Sequence, residues 1–176
     1  MTDSIAELTA PSSVVARAAA AERLVFRDGS AMTLLADGPA TGGTLSVHHT
    51  SLSRGADGAS PHHHGVVSEV FYVVDGRVDL LVGDEIVELG AGDFASVAPG
   101  VTHAFAAAPG SDAELLVAVA PGIERFSLFR RFERISAGRE PAPTLLDGQA
   151  EYDTYPDVSE LWERARRHPS DPKEQP

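Results

Sequence analysis

The chain has 176 residues, of which 43% are hydrophobic and 23% are charged, a composition that predicts one globular domain with a buried core. Its formal net charge is -12 and Lys173 is its only lysine, so we expect no nucleic-acid partner and no attraction to a membrane. Cysteine is absent, which excludes disulfides and thiolate metal ligands. Because no long apolar run and no signal-peptide segment is evident, we expect a cytoplasmic protein.

Residues 1–21 are rich in Ala and Ser, and we interpret them as an N-terminal arm, either a short helix or a segment that packs on a partner subunit. Residues 22–138 consist of short apolar runs divided by Gly, Pro and Asp turn pairs. This pattern predicts a β-sandwich or barrel rather than parallel βαβ units, and the absence of an internal repeat favours a single barrel. Within it, Gly83-Asp84 lies between two alternating runs and predicts a tight hairpin.

Two later segments have helical spacing. The first is "RFSLFRRFERI", which follows the last apolar run, and the second is "DVSELWERARRH", for which Asp157 or Ser159 is the predicted cap. Residues 139–176 are therefore interpreted as a C-terminal extension with a short helix. Its last residues, 169–176, are predicted to be a disordered tail.

The stretch "PHHHGVVSE" contains three adjacent histidines followed by Glu69. Alternate side chains of a strand lie on opposite faces, so His62 and His64 share a face while His63 points the other way. Glu69 falls on the next strand, and a further candidate, His103, follows the turn in "PGVTH". Three imidazoles and a carboxylate suit a divalent metal ion. On the histidine run alone, a simple polar loop is an equally good interpretation.

Two longer stretches resemble the two motifs of the cupin family. "PHHHGVVSEVFYVVDG" resembles the first motif and "GDFASVAPGVTH" resembles the second, with residues 77–91 between them. The sequence departs from the second motif at Ala98, where a proline is usual, and at Ala107, where an asparagine is common. The resemblance spans residues 40–120. It implies an all-β fold, a double-stranded β-helix (jelly-roll) cupin barrel with short flanking helices at the N- and C-termini.

The same resemblance implies that His62, His64, Glu69 and His103 bind one metal at the centre of the barrel. This donor set suits an ion with open coordination positions, so Fe, Mn, Ni, Co or Cu are all candidates. Zinc is disfavoured, because structural zinc usually closes a tetrahedron and the chain has no cysteine. Open positions for substrate or dioxygen are typical of a catalytic site.

Strand alternation extends the metal group into a predicted substrate pocket. Side chains that share the faces of Glu69 and His103 are apolar, and one of two neighbouring histidines joins them. The predicted pocket residues are His48, His49, Phe71, Val73, Val101 and Phe105. Such walls suit a planar aromatic or polyketide-like molecule better than a sugar phosphate. An equally good interpretation of Phe71 and Phe105 is that they belong to the barrel core.

"HHHGVVSEVFYVVDG" followed by "VAPGIERF" is most similar to single-domain, quercetinase-type cupins. This resemblance implies a dioxygenase that acts on a flavonol-like enol, with Glu69 as both metal ligand and proton-accepting base. Two alternatives stay open. One is a non-oxidative cupin, a cyclase or isomerase of secondary metabolism, and the other is a non-catalytic cupin that binds a small molecule.

An oligomeric state is also predicted. Strand alternation places Val70, Tyr72 and Val74 on the outside of the barrel, and the N-terminal arm has an apolar stripe of its own. Exposed apolar surface of this kind usually marks an interface, so we expect a two-fold homodimer.

Overall fold

The computed structural model describes residues 13–141 and 149–167. Most of the predicted N-terminal arm and the predicted disordered tail, residues 169–176, therefore lie outside the described residues. In the described part of the arm, one 3-10 turn spans Ala18–Ala20. No helix among the described residues is both long and apolar enough to cross a membrane.

The described residues form ten strands and two α-helices. The strands are β1 (Glu22–Val25), β2 (Ala31–Ala36), β3 (Ser46–Leu52), β4 (Asp57–His63), β5 (Ser68–Val82), β6 (Glu85–Gly90), β7 (Phe94–Val97), β8 (His103–Ala107), β9 (Ala113–Ala120) and β10 (Tyr155–Pro156). The helices are α1 (Phe126–Ser136) and α2 (Glu160–Arg166), and further 3-10 turns span Gly38–Thr41 and Gln149–Tyr152. All strand pairs are antiparallel, in the order β1-β2-β3-β9-β5-β8-β4-β10, with β6 and β7 also paired to β5. The predicted all-β jelly-roll barrel with flanking helices is confirmed.

The long strand β5 joins the two sheets of the barrel. Its first part pairs with β9 and β7, and its second part, from Arg77 on, pairs with β8 and β6. The register shifts between Val73 and Asp75, and Gly76 follows with φ +74°. A Cβ atom at Gly76 would lie 2.0 Å from the carbonyl oxygen of Asp112, so no other residue fits without backbone movement. The bend at Gly76 thus lets one strand serve both sheets.

The local predictions made from turn and helix signals are confirmed. Val82 pairs with Glu85 across Gly83-Asp84, which makes the predicted β5–β6 hairpin. Helix α1 covers the first segment with helical spacing, and α2 covers most of the second. Of the two predicted caps for α2, Ser159 is the one used, because its Oγ accepts a hydrogen bond from the Trp162 N–H at 3.2 Å.

The main hydrophobic core fills the barrel between β5, β8 and β9. Phe71, Leu80 and Leu115 are fully buried there, and burial of a side chain of this size stabilises the fold by about 1.5–3 kcal/mol. A second apolar layer forms where α1 packs on β1 and β2, through Phe129 and Leu24. The region between the barrel interior and α1 is where the candidate site lies.

Candidate metal centre and adjoining cavity

Four potential metal ligands meet inside the barrel. Each offers one ligand atom, and these atoms all lie within 4.8 Å of one another: the residues are His62, His64, Glu69 and His103. His62 pairs directly with His103 across β4 and β8, while Glu69 comes from β5. All four are buried. The strands therefore bring together the four residues that the sequence marks as candidates.

The hydrogen bonds of the three histidines fix how their rings are presented. In each ring, Nδ1 lies within hydrogen-bond distance of a backbone carbonyl oxygen, and the three pairs are His62 to Ser60 (2.8 Å), His64 to Asp153 (2.6 Å) and His103 to Val101 (2.9 Å). A carbonyl oxygen can only accept, so each Nδ1 carries the proton and each Nε2 keeps its lone pair. Such bonds orient and tune histidines that ligate metals.

The free lone pairs point at a carboxylate oxygen. Oε2 of Glu69 lies 2.9 Å from His103 Nε2 and 3.6 Å from His64 Nε2. Among the residues that the structure describes, none offers a hydrogen-bond partner to the buried His64 Nε2. Two acceptors facing each other repel unless a cation lies between them, and ligands about 2.1 Å from one ion are about 3 Å apart when adjacent. The donor set and its spacing therefore fit a divalent metal ion.

The other oxygen of Glu69 is held by Arg125, which lies in the loop before α1. Arg125 Nη1 donates to Glu69 Oε1 at 2.9 Å, and the two side chains are only 7% and 3% exposed. Burial alone would raise the pKa of Glu69, but the positive charge of Arg125 holds that pKa well below its usual range. Glu69 is thus held in its ionised form.

A segment beyond α1 holds the turn that carries His64. The carboxylate of Asp153 accepts three backbone N–H bonds, from Gly65 (2.9 Å), Val66 (2.8 Å) and Val67 (2.9 Å). Burial raises the pKa of Asp153, but these bonds outweigh that effect and lower it. Asp153 has φ +49°, an uncommon conformation for a residue other than glycine. Together with its carbonyl bond to His64, Asp153 connects the C-terminal extension to the candidate metal centre.

His63 takes no part in the cluster. Its Nδ1 lies 2.8 Å from Asp157 Oδ2, and its ring stacks on Tyr155 with the centroids 5.2 Å apart. The side chain is 32% exposed, whereas those of His64 and His103 are 1% exposed. The structure therefore places His63 on the opposite face from its two neighbours.

A cavity of about 580 Å³ begins at the metal group, where His62 and Glu69 line it. Its walls are largely apolar and come from the barrel and from α1, and they include Leu52, Phe105, Val117, Leu128, Phe129 and Phe132. Thr50 and Arg125 are polar exceptions. The volume lies within the range that small-molecule sites usually have.

His48 also lines this cavity. It is 5% exposed, and its ring lies 4.6 Å from that of Phe129, centroid to centroid. Burial, with a contribution from the charge of Arg125, lowers the pKa of His48 to about 3. His48 is therefore a neutral ring at neutral pH, able to donate one hydrogen bond and accept another.

The remaining predicted pocket residues lie elsewhere. His49 points out of the barrel, because β3 alternates, and its Nε2 lies 3.1 Å from Glu114 Oε2. Phe71 and Val73 are fully buried in the hydrophobic core, and Val101 packs against that core. Of the six predicted pocket residues, His48 and Phe105 line the cavity. Phe71 and Val73 face the barrel interior, as strand alternation predicts. They lie in the hydrophobic core rather than along the cavity, a difference that alternation does not predict.

Residues 48–119 match the model of the Cupin domain family. No curated protein matches the chain as a relative. An RmlC-like cupin from Shewanella frigidimarina is 25% identical, with a TM-score of 0.55, and the match covers 66% of this chain and 97% of that one.

Two further solved structures show the breadth of this fold. Pac13, a nucleoside dehydratase from Streptomyces, is 21% identical with a TM-score of 0.51, over 65% of this chain and 88% of that one. A predicted oxalate decarboxylase from Thermotoga maritima is 21% identical with a TM-score of 0.52, over 60% of this chain and 97% of that one. At this identity both show the fold alone. Residues 48–119 thus match the Cupin domain family, and the barrel has the fold of solved cupin structures.

Proposed function

We propose that this protein is a metal-dependent dioxygenase that acts on a small aromatic or enol substrate, flavonol-like or polyketide-like. One observation carries the proposal: three histidine Nε2 atoms and a carboxylate oxygen converge at the inner end of a cavity with aromatic walls. Such a cavity can take up a planar apolar molecule and bring one of its oxygens to the metal group.

In this proposal His62, His64, Glu69 and His103 hold one divalent ion, which is Fe, Mn, Ni, Co or Cu rather than zinc. When bound, the ion supplies Lewis acidity and electron exchange with dioxygen. The side chains exclude water, orient the substrate and hold the ligands in place. Phe105 and Phe129 exclude water and orient the ring of the substrate, while Arg125 keeps Glu69 ionised and in place.

The cavity holds a second candidate for handling the proton of an enol. Glu69 is a weak base because Arg125 stabilises its ionised form. His48 faces the same cavity and is neutral, so it can bond a substrate hydroxyl through either ring nitrogen. We therefore propose Glu69 as a ligand first, and His48 as the neutral hydrogen-bonding partner of the substrate.

A second candidate function is non-oxidative metal-dependent chemistry, such as that of a cyclase or isomerase. The structural neighbours favour keeping it, since Pac13 is a nucleoside dehydratase and the Thermotoga maritima protein is a predicted decarboxylase. A third is a cupin that binds a small molecule without turnover. The three candidates differ in whether dioxygen is consumed and whether product forms without it.

An oxygen electrode separates them. Metal-free protein is reconstituted with each of the five ions and given quercetin, as a representative flavonol, under air and under argon. The proposal predicts equimolar loss of oxygen and flavonol under air and no product under argon. The His103→Ala variant serves as the metal-deficient control, and His63→Ala as the matched histidine control with activity retained. Product under argon would establish the non-oxidative function instead, and binding without any turnover would establish the third.

A further inference from the structure

Three buried side-chain atoms have no hydrogen-bond partner among the described residues. They are Thr50 Oγ1, His64 Nε2 and Arg125 Nε. A metal ion accounts for His64, but it accounts for neither of the others. Thr50 and Arg125 both line the cavity that adjoins the metal group. Because buried polar atoms are nearly always bonded in native proteins, these two indicate a bound molecule with polar atoms.

Arg125 is placed to use more of its hydrogen-bonding capacity than Glu69 takes. Its planar guanidinium carries five N–H donors, of which Nη1 donates to Glu69 Oε1 at 2.9 Å. The group lies over the ring of Phe129, with Cζ 5.3 Å from the ring centroid, so it packs against an aromatic side chain of the cavity wall. The side chain is 7% exposed, so bulk water does not satisfy it.

The balance of charge in the cavity favours an anion. Among its lining residues, Arg27, Asp28 and Asp57 lie at exposed positions, whereas Glu69 and Arg125 are buried. One carboxylate cannot neutralise both a divalent ion and a guanidinium. With the ion bound, the buried group carries an excess of positive charge, which is costly in apolar surroundings unless an anion joins it.

We propose that Arg125 binds an anionic oxygen of the substrate, a carboxylate or an ionised enol, and that the hydroxyl of Thr50 bonds a second polar atom of the same molecule. This inference rests on the proposed function and narrows its substrate class to small aromatic acids and acidic enols.

Two probes of similar shape test the inference by calorimetry. 2-Naphthoate and 2-naphthamide differ in charge, and both are titrated into nickel-loaded protein. The wild type should bind the anion tighter by about tenfold or more, as expected for hydrogen bonds to a charged group. Arg125→Gln can still donate to Glu69 but lacks the charge, and it should lose this preference. Arg27→Gln, at the exposed mouth of the same cavity, should keep it.

The outcomes distinguish binding from mere positioning of Glu69. Equal affinity of the wild type for both probes would overturn the inference. A preference for the anion that survives in Arg125→Gln at unchanged nickel content would also overturn it, because the metal alone would then select the anion. If Arg125→Gln does not fold, Arg125→Lys takes its place in the test. A reduced preference of this variant for the anion supports the inference, since lysine lacks the planar guanidinium. An unchanged preference for the anion overturns it. No step of this binding test involves oxygen, so its result can be interpreted even if the dioxygenase assay finds no activity.

Discussion

His64 Nδ1 lies 2.6 Å from the backbone carbonyl oxygen of Asp153, a residue 89 positions further along the chain. The carboxylate of Asp153 in turn bonds three consecutive N–H groups just after His64. The C-terminal extension thus orients a ligand of the candidate metal centre, although it contributes no ligand itself.

We expect Asp153→Ala to weaken metal binding by about 10–100-fold, the usual effect of losing a partner that orients a ligand. Alanine removes the three N–H bonds and disfavours the positive φ, so the carbonyl that holds His64 shifts. Competition with a chelator measures the change. Asp153→Asn, which tolerates this conformation and keeps one acceptor oxygen, should lose less. Wild-type affinity in Asp153→Ala would refute this role of the extension.

Glu69→Gln tests the charge balance of the centre. The interpretation of Glu69 as both ligand and base predicts a variant that retains metal and loses turnover. The ion pair with Arg125 reverses this expectation, because glutamine would leave a buried guanidinium uncompensated beside a divalent ion. We now expect metal affinity to fall by at least about tenfold and activity to return partly with excess metal. Full metal content with lost turnover would restore the base assignment.

Stability of the metal-free protein should depend on pH through His48. Its pKa is about 3 when folded and 6.5 without burial, so below pH 6.5 the unfolded state binds a proton that the folded state does not. The free energy of unfolding therefore falls as the pH falls, by up to about 1.4 kcal/mol per pH unit for this residue. His62, whose pKa burial lowers to about 4, adds a second contribution of the same sign.

Urea unfolding at pH 7, 6 and 5 measures this slope, and His48→Leu should reduce it by removing one of the two groups. A slope identical in His48→Leu and in the wild type would show that His48 is not a neutral buried ring in the folded protein.

We expect the predicted homodimer to form through a row of exposed apolar side chains on the outside of the barrel. Tyr72 pairs with Leu116 on one side and with Phe94 on the other, so three apolar side chains lie in a row across β9, β5 and β7. Tyr72 is 43% exposed, Leu116 is 36% exposed and Phe94 is 61% exposed. A charge at the centre of this row should disrupt an interface between two copies.

Light scattering should give a dimer mass for the wild type and a monomer mass for Tyr72→Glu. Val158→Glu, at an exposed apolar position on the C-terminal extension, is the control and should stay dimeric. A monomeric wild type at micromolar concentration would contradict the prediction.

The four candidate ligands could be proposed from the sequence through strand alternation and through the resemblance to the two cupin motifs. Strand alternation separates His63 from His62 and His64, and the spacing of the motifs points to Glu69 and His103. Strand alternation alone could not show which of His48 and His49 faces the barrel interior. That orientation depends on how β3 pairs with β9.

Arg125 and Asp153 were missed for a different reason. Arg125 meets Glu69 across 56 positions of sequence and Asp153 meets His64 across 89, so neither contact leaves a local pattern. An arginine at the start of a helix rich in phenylalanine is the signal that was available for Arg125. For Asp153 the sequence offers no comparable signal.

Metal content of purified, reconstituted single-alanine variants tests the central claim most directly. Elemental analysis should find one ion per chain in the wild type and in His63→Ala, whose ring bonds Asp157 outside the cluster. It should find far less than one in His62→Ala, His64→Ala and His103→Ala, whose Nε2 atoms face the common centre. An undiminished metal content in these three variants, or a loss of metal as complete in His63→Ala as in them, would contradict the metal centre described above.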